Sequence, residues 1–418
     1  MDFSVTKISE SFVKPCEPTP CNTTLPLSSL DKFPTLRATL LETLLVFKYG
    51  QEPEKVIKAA LSKALVHYYP VAGDFSISDQ GELEIVCNSR GAWFVEASVD
   101  CRLEDFNYLD DPYVIPRHYL IPQPPHVVED PTSIFFAFQV TKFKCEGFVL
   151  GMRTSHLMFD GVGGAQFLRA IGEMARGYTQ PSIPPIWSRA EMPIKPQFSL
   201  PNSSPMPLPP PPSSSALMTL QRKFIDIPPH QITKMKNKLI NQKCSTFDVL
   251  IAKLWRSKLR AIKTNPDVLV QLAFVVNARK YLSLEGYYGN CLYMKEIETS
   301  CGKVVNGSFS EVVELIQDAK RGLASEFSAW VSGGCKAKDM IMKYEKLIVN
   351  DWTNIRFEDV DYGWGPAMSM ILVEDVPALP SCLFTKTPKM PNGVRIVSSC
   401  VREEHMEEFI KQMNDFDD

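Results

Sequence analysis

Six histidines are the scarce chemical resource of the chain: His67, His118, His126, His156, His230 and His405. Imidazole is the side chain that titrates unperturbed near neutrality, so a general base that is free at pH 7 is most often one of these. Two of them head a His-x-x-x-Asp pattern, His126 to Asp130 and His156 to Asp160. The bare pattern is weak, and context separates the two. His126 sits among Pro122, Pro124, Pro125 and Pro131, in a predicted surface loop that gives a catalytic group no rigid support. His156 follows the apolar run Gly147 to Arg153 and precedes Gly161-Val162-Gly163-Gly164. A strand end feeding a glycine-rich turn lets a ligand approach the backbone and puts a side chain at the mouth of a domain. On residues alone, a buried and hydrogen-bonded imidazole is an equal account of His156. The N-cap of the following helix is the better account of Asp160.

Two further clusters stand out. In Asp361-Tyr362-Gly363-Trp364-Gly365-Pro366, two glycines around a tryptophan describe a tight turn whose backbone passes close to something. A turn with a core tryptophan is its ordinary account. Asn277-Ala278-Arg279 follows an apolar run and precedes Gly286-Tyr287-Tyr288-Gly289-Asn290, and for Arg279 the ordinary account is a surface arginine. The chain has no Gly-x-Ser-x-Gly elbow, no phosphate loop, no His-Glu-x-x-His zinc helix and no strand-borne Gly-x-Gly-x-x-Gly. Serine esterase, nucleoside triphosphatase, zincin and dinucleotide chemistries all lose support.

The elements that must hold these groups follow from periodicity. Pro53 to His67 and Gly163 to Arg176 carry apolar residues at helical spacing, while Ile134 to Phe143 and Gly147 to Arg153 read as short strands. Downstream, Ser245 stands three residues before Asp248 at the head of a periodic run, a capping-box helix start. Val268 to Val276 reads as a buried strand, Phe309 to Phe327 as a helix, and Ser369 to Val373 and Gly393 to Ser398 as strands. The class is α/β, with two domains of similar size and no repeat. Twelve of the 33 prolines lie between Pro181 and Pro212, so residues 181–216 are expected to be an extended linker between a domain at 1–180 and another at 217–418.

Composition excludes several partners. Of 418 residues, 44% are hydrophobic and 22% charged, which is globular, and Lys+Arg 45 against Asp+Glu 48 leaves a net charge of -3. No global basic field is available for nucleic acid or an anionic membrane. The eleven cysteines are odd in number and form no Cys-x-x-Cys, so reduced thiols are expected. With no secretory leader in Met1 to Lys14 and no apolar span of eighteen residues, a soluble cytosolic monomer is the expectation.

Taken together, His156-x-x-x-Asp160-Gly161 and Asp361-Tyr362-Gly363-Trp364-Gly365 resemble the two signatures of the plant BAHD acyl-CoA-dependent acyltransferases. The likeness covers nearly the whole chain. Leu27-Ser28-Ser29-Leu30-Asp31 is similar to the family's opening strand and Tyr68-Tyr69-Pro70-Val71-Ala72-Gly73 to its early helix end. Met174-Ala175-Arg176-Gly177, Pro185-Ile186-Trp187 and Gly286 to Asn290 look most like the branch of taxane, alkaloid and polyamine acyltransferases. Three departures stand beside it: Tyr362 replaces the usual Phe, Asp74 replaces an Arg that often follows the Ala-Gly pair, and the chain is short.

The resemblance implies two chloramphenicol-acetyltransferase-like domains with a solvent channel between them, entered by acyl-CoA from one side and the acceptor from the other. Carried over, His156 is the general base, Asp160 points away from the pocket and pairs with Arg279, and Asp361 with Gly363, Trp364 and Gly365 is structural. A thioester is already activated, so no covalent nucleophile is needed, only proton removal and an oxyanion site. The Asn290 amide, the Trp364 indole and a backbone N–H of Gly161 to Gly164 are the oxyanion candidates, with Asn290 favoured. Ser245 and Thr246 match a segment near the CoA arm, although capping explains Ser245 equally well. No metal or redox cofactor is implied. Acyl-CoA is a co-substrate, and the partners are an acyl-CoA donor and a small alcohol or amine. The competing accounts are a catalytically silent relative that binds CoA esters or a protein, and an acyl-CoA thioesterase.

Overall fold

Strands and helices alternate along the chain, and the strands sort into two six-stranded sheets and one three-stranded sheet. The protein is seen in a computed structural model that describes residues 3–28, 30–31, 36, 39–123, 136–187, 189, 219–239, 242–332, 343–373 and 379–417. The first strands are β1 (Val5–Val13), β2 (Thr23–Pro26), β3 (Leu40–Phe47), β4 (Asp74–Ile77), β5 (Leu83–Cys87), β6 (Ala92–Val99), β7 (Phe136–Lys142) and β8 (Phe148–Ser155). They continue with β9 (Leu220–Ile227), β10 (Leu269–Asn277), β11 (Leu292–Ser300), β12 (Leu347–Asp351), β13 (Ser369–Leu372), β14 (Ser381–Thr387) and β15 (Met390–Arg402). The helices used below are α1 (Pro53–His67), α2 (Gly161–Ala175), α3 (Thr246–Ala261), α4 (Phe309–Arg321) and α5 (Leu323–Val331).

Two units result. The first holds Met1–Pro205, Leu282–Cys291 and Ile355–Glu374, and the second holds Met206–Tyr281, Leu292–Asn354 and Asp375–Asp418. The expected division at 181–216 is therefore corrected in two places. Residues 282–291 and 355–374, including the Asp361 turn, group with the first unit rather than with the second. The start of the expected linker is also fastened there: Ile186 bridges Tyr287 in parallel, and Arg189 is buried. Proline content forbids helix and central strand, but it does not forbid anchoring by side chains.

In the first unit the large sheet runs β1-β6-β7-β8-β3-β13, with β6 and β7 parallel and the other neighbours antiparallel. Strand β8 lies between β7 and β3, and apart from Arg153 it is buried along its whole length. That is why it reads as an unbroken apolar run in the sequence. Helix α1 starts with proline at its first position, where the missing N–H costs nothing, and packs against α2. The expected opening strand at 27–31 is corrected: β2 ends at Pro26, and Leu30-Asp31 form a turn.

The second unit has the order β11-β10-β12-β14-β15-β9, with β10–β12 and β12–β14 parallel. Its core is built on α3, whose Val249, Leu250, Ile251, Leu254, Trp255 and Leu259 are buried. The run expected as one helix over 309–327 is two, because α4 ends and α5 begins at Gly322. Among the described residues no helix is long and apolar enough to cross a membrane, and no group of three or more His, Cys, Asp or Glu could hold a metal ion. The ten described cysteines are free thiols.

Candidate active site

Strand β8 delivers the chain to His156, and α2 takes it up again at Asp160. Asp160 is the N-cap: its Oδ1 accepts the Gly163 N–H at 2.9 Å, and its backbone oxygen accepts that of Gly164 at 2.9 Å. Its Oδ2 accepts the Cys291 N–H at 3.0 Å, so one fully buried carboxylate ties the helix start to residues 282–291. That segment lies on α2 at close range. A Cβ at Gly163 would stand 2.0 Å from the Tyr288 carbonyl oxygen, and Gln166 donates to the Gly286 oxygen at 2.9 Å. Glycine at 163 is thus required by the approach of a second backbone.

The His156 turn is held from outside its own stretch of chain. The His156 N–H donates to the Thr39 oxygen at 3.0 Å, and the His156 oxygen accepts Nδ2 of Asn290 at 2.7 Å. The other Nδ2 hydrogen goes to Oδ1 of Asp31 at 2.8 Å. Asp31 is fully buried; its Oδ2 accepts the Ser28 N–H at 2.8 Å and pairs with Arg189 at 2.5 Å. Arg189 in turn donates to the oxygens of Leu157 at 3.0 Å and Met158 at 2.8 Å, the first two residues between His156 and Asp160. Its guanidinium stacks over Trp187 at 3.8 Å from the ring centre.

His156 itself is half-buried. Desolvation by burial lowers its pKa from the ordinary 6.5, against upward pulls from its own backbone, Asp160, the Asn290 side chain and Asp31. Burial thus favours the neutral form of the imidazole. Its Nδ1 and Oδ1 of Asn290 are both buried without a hydrogen-bond partner. Because both neighbours of Asn290 Nδ2 are acceptors, the amide orientation is fixed, with Oδ1 the remaining polar atom.

The same hydrogen bonds correct the expectation that Asn290 supplies the oxyanion. Both N–H hydrogens of its amide are already engaged. Gly163 and Gly164 are engaged by Asp160 as well, and Trp364 belongs to the Asp361 turn at the far end of α2, which leaves the N–H groups of Gly161 and Val162 at the helix start.

The second signature sits at the other end of α2. Oδ1 of Asp361 accepts the N–H groups of Gly363 at 2.7 Å and Gly365 at 2.9 Å, closing the turn on itself. Both glycines have left-handed backbones, with φ of 108° and 96°. The Asp361 backbone oxygen accepts from Arg176, and a Cβ at Gly172 would stand 2.5 Å from it. Tyr362 is buried, its ring 5.4 Å from that of Phe47, and its hydroxyl has no partner. Trp364 sets its ring edge-on to Phe148 at 5.8 Å. The Asp74 departure is accommodated locally: its carboxylate pairs with Arg90 at 2.6 Å and accepts from Asn88 at 2.7 Å.

Three of the expected site residues belong to the second unit. Arg279 directs its N–H and guanidinium to Oδ1 of Asn277 at 3.1 and 3.2 Å. Ser245 caps α3 in a capping box with Asp248, and Thr246 accepts from Lys236 at 3.0 Å. The rival His126 pattern lies outside the described residues. Sequence reasoning missed Asp31 and Arg189 as site residues, since an aspartate in a turn and an arginine after a tryptophan carry no spacing signal. Their one trace was that Asp31 ends a segment of the family likeness and Arg189 stands two residues beyond another.

Known proteins resemble the chain over nearly its whole length. A family model described as the transferase family matches residues 3–416. A myricetin 3-O-glucosyl 1,2-rhamnoside 6'-O-caffeoyltransferase of Crocosmia x crocosmiiflora is 38% identical over 434 residues, covering 100% of both chains. A 3'-N-debenzoyl-2'-deoxytaxol N-benzoyltransferase of Taxus canadensis is 31% identical, covering 96% of this chain and 93% of that protein. Among solved structures, vinorine synthase superposes with a TM-score of 0.72 at 19% identity, covering 97% of this chain and 96% of its own.

Proposed function

Because the chain belongs to the BAHD acyl-CoA-dependent acyltransferases, the transferase family whose model spans residues 3–416, we propose that His156 is the general base of the transfer. On this reading the imidazole of His156 takes the proton from an acceptor hydroxyl or amine as that atom attacks the thioester carbonyl. The carbonyl electrons move onto oxygen, return as the carbon–sulfur bond breaks, and the CoA thiolate leaves with the proton that His156 held. The acyl group passes directly between two bound substrates. The observation that carries the proposal is the His156 turn itself, whose backbone is fixed by Asn290, Arg189 and Asp160, with burial favouring the neutral form of the imidazole it carries.

Asp160 has a geometric role, as the buried cap of α2, and its pairing with Arg279 is part of the proposal. Asp361, Gly363, Trp364 and Gly365 act as a brace for the far end of α2. The oxyanion is assigned to a backbone N–H of Gly161 or Val162, where the helix start favours negative charge. Ser245 and Thr246 remain proposed contacts for the CoA arm through backbone or Thr246 hydroxyl. The acceptor class is a hydroxylated or aminated plant specialised metabolite, for which the flavonol glycoside and taxane acceptors named for the relatives supply the first compounds to try.

A thiol reagent reads CoA release directly. Release from acyl-CoA that requires an acceptor, and that disappears in His156→Ala, is the expected result. Equal release without any acceptor would make the protein a thioesterase. Intersecting double-reciprocal lines and an active Cys291→Ser variant are expected of direct transfer, since Cys291 is buried and its N–H serves Asp160. An acyl group trapped on Cys291 would replace it with a thiol relay.

A further inference from the structure

The His156 turn is positioned by two charged residues that never reach the reacting atoms. We propose that Arg189 and Asp31 are positioning residues for the transfer, fixing the direction of the His156 imidazole through the carbonyls of Leu157 and Met158 and through Asn290. The inference rests on the reading of His156 as base.

Four observations carry it. Both side chains are completely excluded from solvent, which is rare for charges and tolerated only when they are paired and hydrogen-bonded. The guanidinium uses its two terminal nitrogens on three acceptors: one serves the Leu157 oxygen and Asp31, the other the Met158 oxygen. That arrangement needs a planar fork, because an ammonium is a single point charge that cannot span both carbonyls and the carboxylate. Asp31 completes the path, since its Oδ1 takes both the N–H at 3.2 Å and the Nδ2 at 2.8 Å of Asn290, whose amide also holds the His156 oxygen. Every backbone carbonyl from His156 to Met158 is thus bound by Arg189 or by a residue that Asp31 holds.

The three carbonyls and the imidazole share one short turn, so loosening the carbonyls redirects the ring. A misplacement of about 1 Å at a reacting group lowers turnover about a hundredfold, with ground-state binding little changed. Arg189→Lys keeps the charge but loses the fork, and Asp31→Asn keeps the shape but loses the charge. For both, kcat should fall about a hundredfold while KM for acyl-CoA stays within about threefold. A second readout separates positioning from mere support of the fold. The charges acting on the imidazole are Asp160 and Asp31, both pulling its pKa upward. Asp31→Asn should therefore move the rise of kcat with pH to lower pH, whereas Arg189→Lys, which keeps the Asp31 charge, should move it less.

Folded protein is counted by near-ultraviolet circular dichroism, so that kcat refers to folded molecules even where yield drops. Wild-type kcat in folded Arg189→Lys, or a loss confined to KM, overturns the proposal. If His156→Ala keeps its activity, the base itself is misassigned, and the proposal falls with that reading. If His156→Ala is inactive while Arg189→Lys is fully active, only the positioning role fails.

Discussion

Helix α2 has an aspartate-led turn at each end, and the two are stabilised in opposite ways. At its N-terminus Asp160 is fully buried, and its carboxylate reaches Gly163 in its own helix and Cys291 more than a hundred residues away. At its C-terminus Asp361 is partly exposed and binds Gly363 and Gly365 within its own turn. The first turn depends on Asp31, Arg189 and Asn290 for its shape; the second is largely self-sufficient and merely docks on Gly172 and Arg176. On the proposed roles the difference is physical: a turn that aims a general base needs its backbone fixed from several directions, whereas a brace only has to fill space.

The largest expected difference is in turnover. His156→Ala should lower kcat by about 10²–10⁴ with the fold retained, because it removes the proposed base. Asp361→Ala should leave kcat within about tenfold, because nothing in its turn aims at the reacting atoms. Steady-state kinetics on both variants tests the contrast, and equal losses would erase it.

Stability should separate the two aspartates next. Asp160→Ala removes a cap and strands the buried Cys291 N–H, for a cost of about 2–4 kcal/mol. Asp361→Ala loses two hydrogen bonds at a partly exposed site, for about 1 kcal/mol. Urea unfolding gives both values, and a larger loss for Asp361 would reverse the assignment of brace and cap.

The pH response belongs to the first turn alone. If His156 is the base as proposed, only its neutral form accepts a proton, so activity should rise with pH through one ionisation centred below the ordinary 6.5, since burial lowers the folded pKa. The sign for stability follows: the unfolded chain binds the proton more readily, so this contribution is complete above about pH 6.5 and is lost as pH falls toward the folded pKa. His156→Gln should flatten both curves in that window. A midpoint above 6.5 in the wild type would show that the acidic neighbours outweigh desolvation.

The smallest effect concerns Tyr362. Its buried hydroxyl has no partner, so Tyr362→Phe should stabilise the protein by about 1 kcal/mol and leave kcat unchanged, as read by thermal unfolding and initial rates. A destabilised variant would mean that the hydroxyl is hydrogen-bonded in solution.

Much of this was legible before folding. The helix at 53–67 was read to the residue, and β8 and α2 to within two, because their apolar periodicity is strong and their ends carry proline, glycine and aspartate signals. His156 stood out for the same local reason: a strand end, then glycines. Strands β1, β9 and β11, at the edges of their sheets, escape the sequence reading because charged residues interrupt their apolar pattern.

What the sequence alone determined, then, is local: which segments become strand or helix, where α2 and α3 are capped, and which histidine stands beside a glycine-rich turn. Only the tertiary structure decided that Asp31, Arg189 and Asn290 meet at that turn, that Asn290 uses both amide hydrogens there, and that residues 282–291 and 355–374 join the first unit. The physical reason is range. Capping and periodicity act over three or four residues and leave a spacing, whereas a buried ion pair between positions 31 and 189 depends on how two distant backbones are brought together and leaves none.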